Sequence, residues 1–210
     1  MKIKVCGMCD AENIRRVGML AIDFMGFIFY QKSPRFAGNG LLPPEALWEL
    51  PANVCKTGVF VSESLDVAGS YVAKYKLNAI QLHGKETPEY IGLLKENFPE
   101  ILIIKAFPVS DSSDFLLTKA YEAVCDYFLF DTRTLQYGGS GKQFDWTLIE
   151  AYRGKTPFFL SGGISVEDAV RIKQIQHPAL YGVDLNSRFE LSAGIKDLNL
   201  LQQFIETLKT

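Results

Sequence analysis

Lys2-Ile3-Lys4-Val5-Cys6-Gly7-Met8-Cys9-Asp10 opens the chain with a short run of alternating apolar residues that stops at a glycine. An open, doubly wound sheet would usually carry G-x-G-x-x-G after its first strand, and Cys6-Gly7-Met8-Cys9-Asp10 does not fit that pattern. Seven further runs rich in β-branched and aromatic residues follow: 24–30, 56–61, 79–83, 101–107, 126–131, 157–161 and 179–184. Each precedes a stretch of helical periodicity or its start, at 10–20, 64–75, 87–98, 112–123, 145–152, 165–175 and 196–208. Ser64, Thr87, Asp145 and Ser165 stand where N-caps belong. Strands alternating with helices imply a parallel sheet, and eight such units predict a single (β/α)8 barrel over residues 1–210. At 210 residues the chain is lean for that fold, against roughly 250, so short connections are expected.

The second unit is the weakest. Pro43, Pro44 and Pro51 leave room only for a short helix near 45–50, and the preceding segment 31–42 is long. Long loops in compact domains tend to be functional, and this one, with Lys32-Ser33-Pro34-Arg35, reads as a mobile loop over a site.

Composition excludes several classes. A formal charge of −2 with 48% hydrophobic residues describes an ordinary folded protein. No basic stretch suggests nucleic-acid binding, and no uncharged apolar run reaches the roughly 18 residues of a membrane span. The first residues enter a strand at once, which leaves no room for a signal peptide and makes the cytoplasm the expected location. The four cysteines, at 6, 9, 55 and 125, are expected to be reduced, with Cys55 and Cys125 acting as small buried hydrophobes. Cys6-x-x-Cys9 has no second pair, and His83 and His177 lie in unrelated contexts, so a metal set is not expected.

In a parallel barrel the C-terminal strand tips converge on one face, where residues distant in sequence meet over a ligand. Two proton-transferring groups occupy such tips, Cys6 after the first run and Asp131 at the end of Tyr127-Phe128-Leu129-Phe130-Asp131-Thr132. Ser161-Gly162-Gly163-Ile164 and Asp184-Leu185-Asn186-Ser187-Arg188 follow the seventh and eighth runs, where such barrels often hold a phosphate on backbone N–H groups and a short helix N-terminus. Gln136-Tyr137-Gly138-Gly139-Ser140-Gly141-Lys142 is a second glycine-rich loop that lacks P-loop spacing, which suits closure or phosphate contact better than a nucleotide triphosphate.

Together these residues resemble the phosphoribosylanthranilate isomerases of tryptophan biosynthesis. The resemblance spans nearly the whole chain and rests on Lys4-Val5-Cys6-Gly7, Ser33-Pro34-Arg35, Gln81-Leu82-His83-Gly84, Phe130-Asp131-Thr132, Gly138-Gly139-Ser140-Gly141, Phe144-Asp145-Trp146, Ser161-Gly162-Gly163, Gly182-Val183-Asp184 and Gly194-Ile195-Lys196-Asp197. It implies a cofactor-free, metal-free barrel that rearranges N-(5-phosphoribosyl)anthranilate to its open-chain deoxyribulose phosphate product. By that resemblance Cys6 is the general base and Asp131 the general acid, Arg35 pairs with the anthranilate carboxylate, and Asp184 meets the amine or orients the substrate. His83, Gly141, Ser161, Gly162, Gly163, Asn186 and Ser187 complete the substrate site. The implied partner is a small phosphoribosyl compound, and the implied assembly is a monomer or homodimer.

The chemistry sets requirements. Opening the ribosyl ring needs a proton for its oxygen, so Asp131 must be neutral beforehand, a state that burial favours. Cys6 must be ionised, and an ordinary thiol near pKa 8.5 is only slightly so at neutral pH. Lys4, on the same strand face, or a helix N-terminus nearby is therefore expected to depress it. Two positions depart from the usual family pattern: Asn186-Ser187-Arg188 follows the eighth strand, and Cys9 replaces a polar residue. The competing readings are the related histidine-pathway isomerase, whose base at the first strand is an aspartate, and a non-catalytic sugar-phosphate-binding barrel.

Overall fold

The computed structural model describes residues 1–132 and 145–210. Eight strands, β1 (Lys2–Val5), β2 (Phe24–Ile28), β3 (Cys55–Phe60), β4 (Ala79–Leu82), β5 (Leu102–Val109), β6 (Tyr127–Thr132), β7 (Phe158–Leu160) and β8 (Leu180–Leu185), pair in sequence order into a closed parallel barrel. Closure is made by β1 beside β8, with Lys4 opposite Asp184. All eight predicted runs are strands, displaced by a residue or two at their ends.

Alternation along each strand separates two apolar layers. Outward residues such as Ile3, Phe27, Ile80, Phe130 and Phe158 pack beneath the helices. Inward residues Phe24, Ile104, Ala106, Leu129 and Phe159 fill the barrel's interior, with the Phe24 and Phe159 rings edge to face at 5.1 Å. The aromatic ring of Tyr181 joins them, and the Tyr127 hydroxyl donates to the Tyr181 hydroxyl at 3.3 Å. Polar inward residues are thereby confined above this plug.

Helices α1 (Ala11–Gly18), α2 (Glu45–Trp48), α3 (Leu65–Tyr75), α4 (Pro88–Asn97), α5 (Ala169–Lys173) and α6 (Leu198–Lys209) cover the outside. Ser64, Thr87 and Asp145 accept backbone hydrogen bonds as the predicted N-caps, and Asp168 reaches back to the Ser165 N–H. The segments after β5 and β6 differ from expectation: Ser112–Tyr121 and Trp146–Ala151 are 3-10 helices. Their buried residues, Phe115 with Thr118 and Trp146 with Ile149, are three apart, a spacing that a 3-10 turn stacks on one face.

The segment 31–42 also differs from the mobile loop predicted for it. Ala37 N–H donates to Ile28 O, Phe36 bridges Ile28, and Arg35, Ala37 and Leu42 are buried. Its apolar residues seat it on the barrel and carry Arg35 to the mouth. After β8 comes a 3-10 turn, Ser187–Phe189, and then an antiparallel ribbon, β9 (Glu190–Ser192) with β10 (Ile195–Lys196), where the sequence had suggested only a short helix.

Candidate active site

The C-terminal tips of all eight strands open on one face, and the candidate residues collect there. Cys6 follows β1, packed with Ile28 and Val59. Gly26 of the neighbouring strand makes room for the thiol, because a side-chain carbon there would lie 2.6 Å from the Cys6 sulfur. Below it, Lys4 is fully buried and donates to Asp184 Oδ1 at 2.8 Å. Burial pulls the Lys4 pKa down, yet Asp184 and Cys6 outweigh it, and the ammonium is held charged.

The expectation that Lys4 would depress Cys6 is corrected. Lys4 and Lys196 do draw the thiol toward ionisation, but burial pushes its pKa up and Asp184 adds to that push, so the net shift is upward. The free site holds a thiol, because burial outweighs the pull of Lys196 and of a Lys4 already shared with Asp184.

At Asp131, at the end of β6, the shift runs in the expected direction, toward the neutral acid. Burial raises its pKa to about 6, against the pull of the Thr132 N–H, Lys4 and the Ser161 hydroxyl. Its Oδ1 accepts from the Thr132 N–H at 2.8 Å, and His83 Nε2 stands 3.7 Å from Oδ2. Burial and then Lys105 lower His83 to about 4, so the ring is neutral in the physiological range. Gln81, buried one inward position below, contacts His83 Nδ1 through its amide nitrogen at 3.1 Å. A donating amide there fixes the tautomer whose Nε2–H is directed toward Asp131.

Ser161 is buried at the end of β7, followed by Gly162 and Gly163 at φ +93° and +64°. Only glycine takes such angles without cost, and a side chain at Gly162 would collide with Thr132 and lie 3.1 Å from Asp131 Oδ1. The turn therefore lets the β7 tip pass directly beside the acid. Asn186 and Ser187 lie across from it after β8, with Asn186 Oδ1 accepting from Lys196 Nζ at 2.7 Å. The predicted loop contact Gly141 lies outside the described residues.

Arg35 reaches the mouth from the β2 loop and is already paired there. Glu190 on β9 takes its Nε at 2.8 Å and its Nη2 at 2.7 Å. Lys196 on β10 donates to the same carboxylate at 2.7 Å. Glu190 was missed in the sequence, and Lys196 was read as a helix start. The available signal was the Ala193-Gly194 pair between two short runs, Glu190-Leu191-Ser192 and Ile195-Lys196, which suits a hairpin. The expected residues thus meet in one mouth: Cys6, Arg35, His83, Asp131, Ser161, Gly162, Gly163, Asp184, Asn186 and Ser187. Among the described residues no cluster of three or more His, Cys, Asp or Glu side chains is arranged for a metal ion.

The sequence profile of the PRAI family, N-(5'-phosphoribosyl)anthranilate (PRA) isomerase, matches residues 3–207. The chain belongs to this family. It is similar to the N-(5'-phosphoribosyl)anthranilate isomerase of Parabacteroides distasonis, 45% identical over 208 residues that cover 99% of this chain and 93% of the relative. The same enzyme of Phocaeicola vulgatus is 44% identical, covering 100% and 98%. Among solved structures, phosphoribosyl anthranilate isomerase from Thermotoga maritima superposes with a TM-score of 0.81 at 34% identity, covering 100% of this chain and 98% of that one. An isomerase of the family solved with reduced 1-(o-carboxyphenylamino)-1-deoxyribulose 5-phosphate is 30% identical, with a TM-score of 0.78 over 100% and 98%. Membership bears out the isomerase and the barrel read from the sequence, and it decides against the histidine-pathway alternative.

Proposed function

We propose that the mouth of this barrel converts N-(5'-phosphoribosyl)anthranilate to 1-(2-carboxyphenylamino)-1-deoxyribulose 5-phosphate by an Amadori rearrangement, with Asp131 as general acid and Cys6 as general base. The observation that carries this reading is a carboxyl group with a pKa near 6 on the same mouth as a buried thiol, with Lys4 acting on both.

Protonated Asp131 gives its proton to the ribosyl ring oxygen as the carbon–oxygen bond breaks. The nitrogen lone pair closes to an iminium, whose positive charge acidifies the neighbouring carbon. Cys6 thiolate removes the proton from that carbon, and the electrons return to nitrogen to give an enolamine. Loss of the enol proton and protonation of the former anomeric carbon complete the ketone. The pair finishes as carboxylate and thiol, and one proton must pass from sulfur to carboxylate before the next turnover.

Gly162, Gly163, Ser161, Asn186 and Ser187 suit the substrate phosphate, since they combine positive-φ backbone with short polar side chains at the two strand tips. In this reading Asp184 contacts the amine or orients the substrate, and His83 contacts the sugar, a role supported by its position 3.7 Å from Asp131. The chain acts in the cytoplasm as a monomer or homodimer; among the described residues no helix is long and apolar enough to cross a membrane.

The test is the decay of phosphoribosylanthranilate fluorescence with purified protein beside folded Cys6→Ala and Asp131→Asn variants. Fast decay with wild type and its collapse in both variants are expected. A folded wild type that binds sugar phosphates without turnover would instead favour the non-catalytic barrel.

A further inference from the structure

Arg35, Glu190 and Lys196 form a buried triad that the proposed proton transfers do not use. The side chains of Arg35, Glu190 and Lys196 are 8%, 5% and 0% exposed, so the ion pairs are shielded from water. Glu190 occupies the Nε and Nη2 edge of the guanidinium, while its Oε1 also accepts from Lys196 Nζ and from the Gly194 N–H at 3.1 Å. The ribbon that carries Glu190 is itself fixed: Asn13 on α1 donates to Lys196 O at 2.9 Å and accepts from Lys196 N at 2.8 Å. Arg35 is therefore held at one edge by a rigid element. Its Nη1 has no partner among the described residues, which leaves the terminal edge of the fork for an incoming group.

Charge counting identifies that group. Two cations share one carboxylate, so the triad keeps one net positive charge in a buried place, which a single anion would neutralise. An Nη1/Nη2 edge matches a planar carboxylate in two parallel hydrogen bonds. Lys196 also donates to Asn186 Oδ1, so the triad borders the turn after β8, whereas the Gly162-Gly163 turn faces Thr132 and Asp131; the planar two-point match is what assigns Arg35 a carboxylate distinct from the phosphate.

We propose that Glu190 is a positioning residue that, with Lys196, aims Arg35 and makes the site selective for a carboxylate on the substrate's aromatic ring. The inference rests on the isomerase reading and adds to it the residues that set ring selectivity. Without Glu190 the guanidinium would swing or be repelled by Lys196, and the two-point geometry would be lost while the sugar and phosphate contacts stay.

The experiment measures inhibition of, or direct binding to, the full chain by two stable compounds: reduced 1-(o-carboxyphenylamino)-1-deoxyribulose 5-phosphate and the same compound without its ring carboxylate. Wild type is expected to prefer the carboxylate compound by at least tenfold. Glu190→Gln is expected to cut that preference to about two- to threefold by weakening the carboxylate compound alone. Glu190→Asp, which keeps the charge but shortens the reach, should give an intermediate ratio and serves if the glutamine variant fails to fold. Equal loss of both compounds, or an unchanged ratio in a folded variant, would overturn the proposal. So would a wild type that binds both compounds equally. Wild type that binds neither would count against the isomerase reading itself.

Discussion

Asp131 and Cys6 carry shifts in the same direction with opposite consequences for catalysis. Between about 6 and the upshifted titration of the thiol, the pair holds one proton, and it sits mainly on sulfur. The productive form, proton on Asp131 and charge on Cys6, is a minor arrangement of that same singly protonated state, so its share is constant across the interval. The kcat/KM profile is accordingly expected to be flat between these limits, to fall below about 6 as a second proton is bound, and to fall again on the alkaline side as the upshifted thiol loses the last. Stopped-flow measurement across this range checks it; an optimum confined to the thiol's titration would contradict it. The same Asp131 shift has a stability consequence. A carboxyl whose folded pKa is raised favours folding at low pH, and that contribution is lost as pH climbs from about 4 to about 6. Asp131→Asn is thus expected to abolish turnover while stabilising the fold at neutral pH by about 1–3 kcal/mol, read from urea unfolding. Of these residues the sequence disclosed identity and strand-tip position, including the need for a neutral Asp131. The upward shift of Cys6 was not legible, because it depends first on burial in the closed barrel and then on Asp184, which lies far along the chain and also takes Lys4.

The turn after β7 and the ribbon after β8 show how elements place chemistry. Gly162 combines a φ of +93° with a side-chain position already filled by Thr132. Gly162→Ala should therefore cost about 1–3 kcal/mol of stability and raise KM for the phosphorylated substrate, because the turn must move away from Asp131. A variant with wild-type KM and unfolding midpoint would show that the turn is not constrained as described. The strands were legible because each is a short apolar run at a regular interval. The segments after β5 and β6 were not distinguishable as 3-10 from sequence, since Phe115 with Thr118 and Trp146 with Ile149 satisfy helical patterning at three-residue spacing too. The β9–β10 ribbon escaped for a related reason: its three- and two-residue strands are too short for alternation to register.

For the whole molecule, barrel closure places Lys4 beside Asp184 and buries both. Removing one partner leaves an uncompensated charge inside, so Asp184→Ala is expected to lose about 3–5 kcal/mol in urea unfolding. The double replacement Lys4→Met with Asp184→Leu should recover most of that stability yet remain inactive, since the pair is then apolar and the charge beside Cys6 is gone. An equally unstable double variant would mean that packing, not burial of charge, dominates at this seam. Local sequence determined the number of strand and helix units, most of their caps and the strand tips that bear Cys6, Asp131 and the glycine turns, because these follow from periodicity and from residue chemistry within a few positions. Only the tertiary structure decided which groups share charge and what each pKa becomes. Closing β1 against β8 and folding the ribbon over the mouth juxtapose Lys4 with Asp184 and Arg35 with Glu190, and electrostatic energy depends on distance and burial, not on separation along the chain.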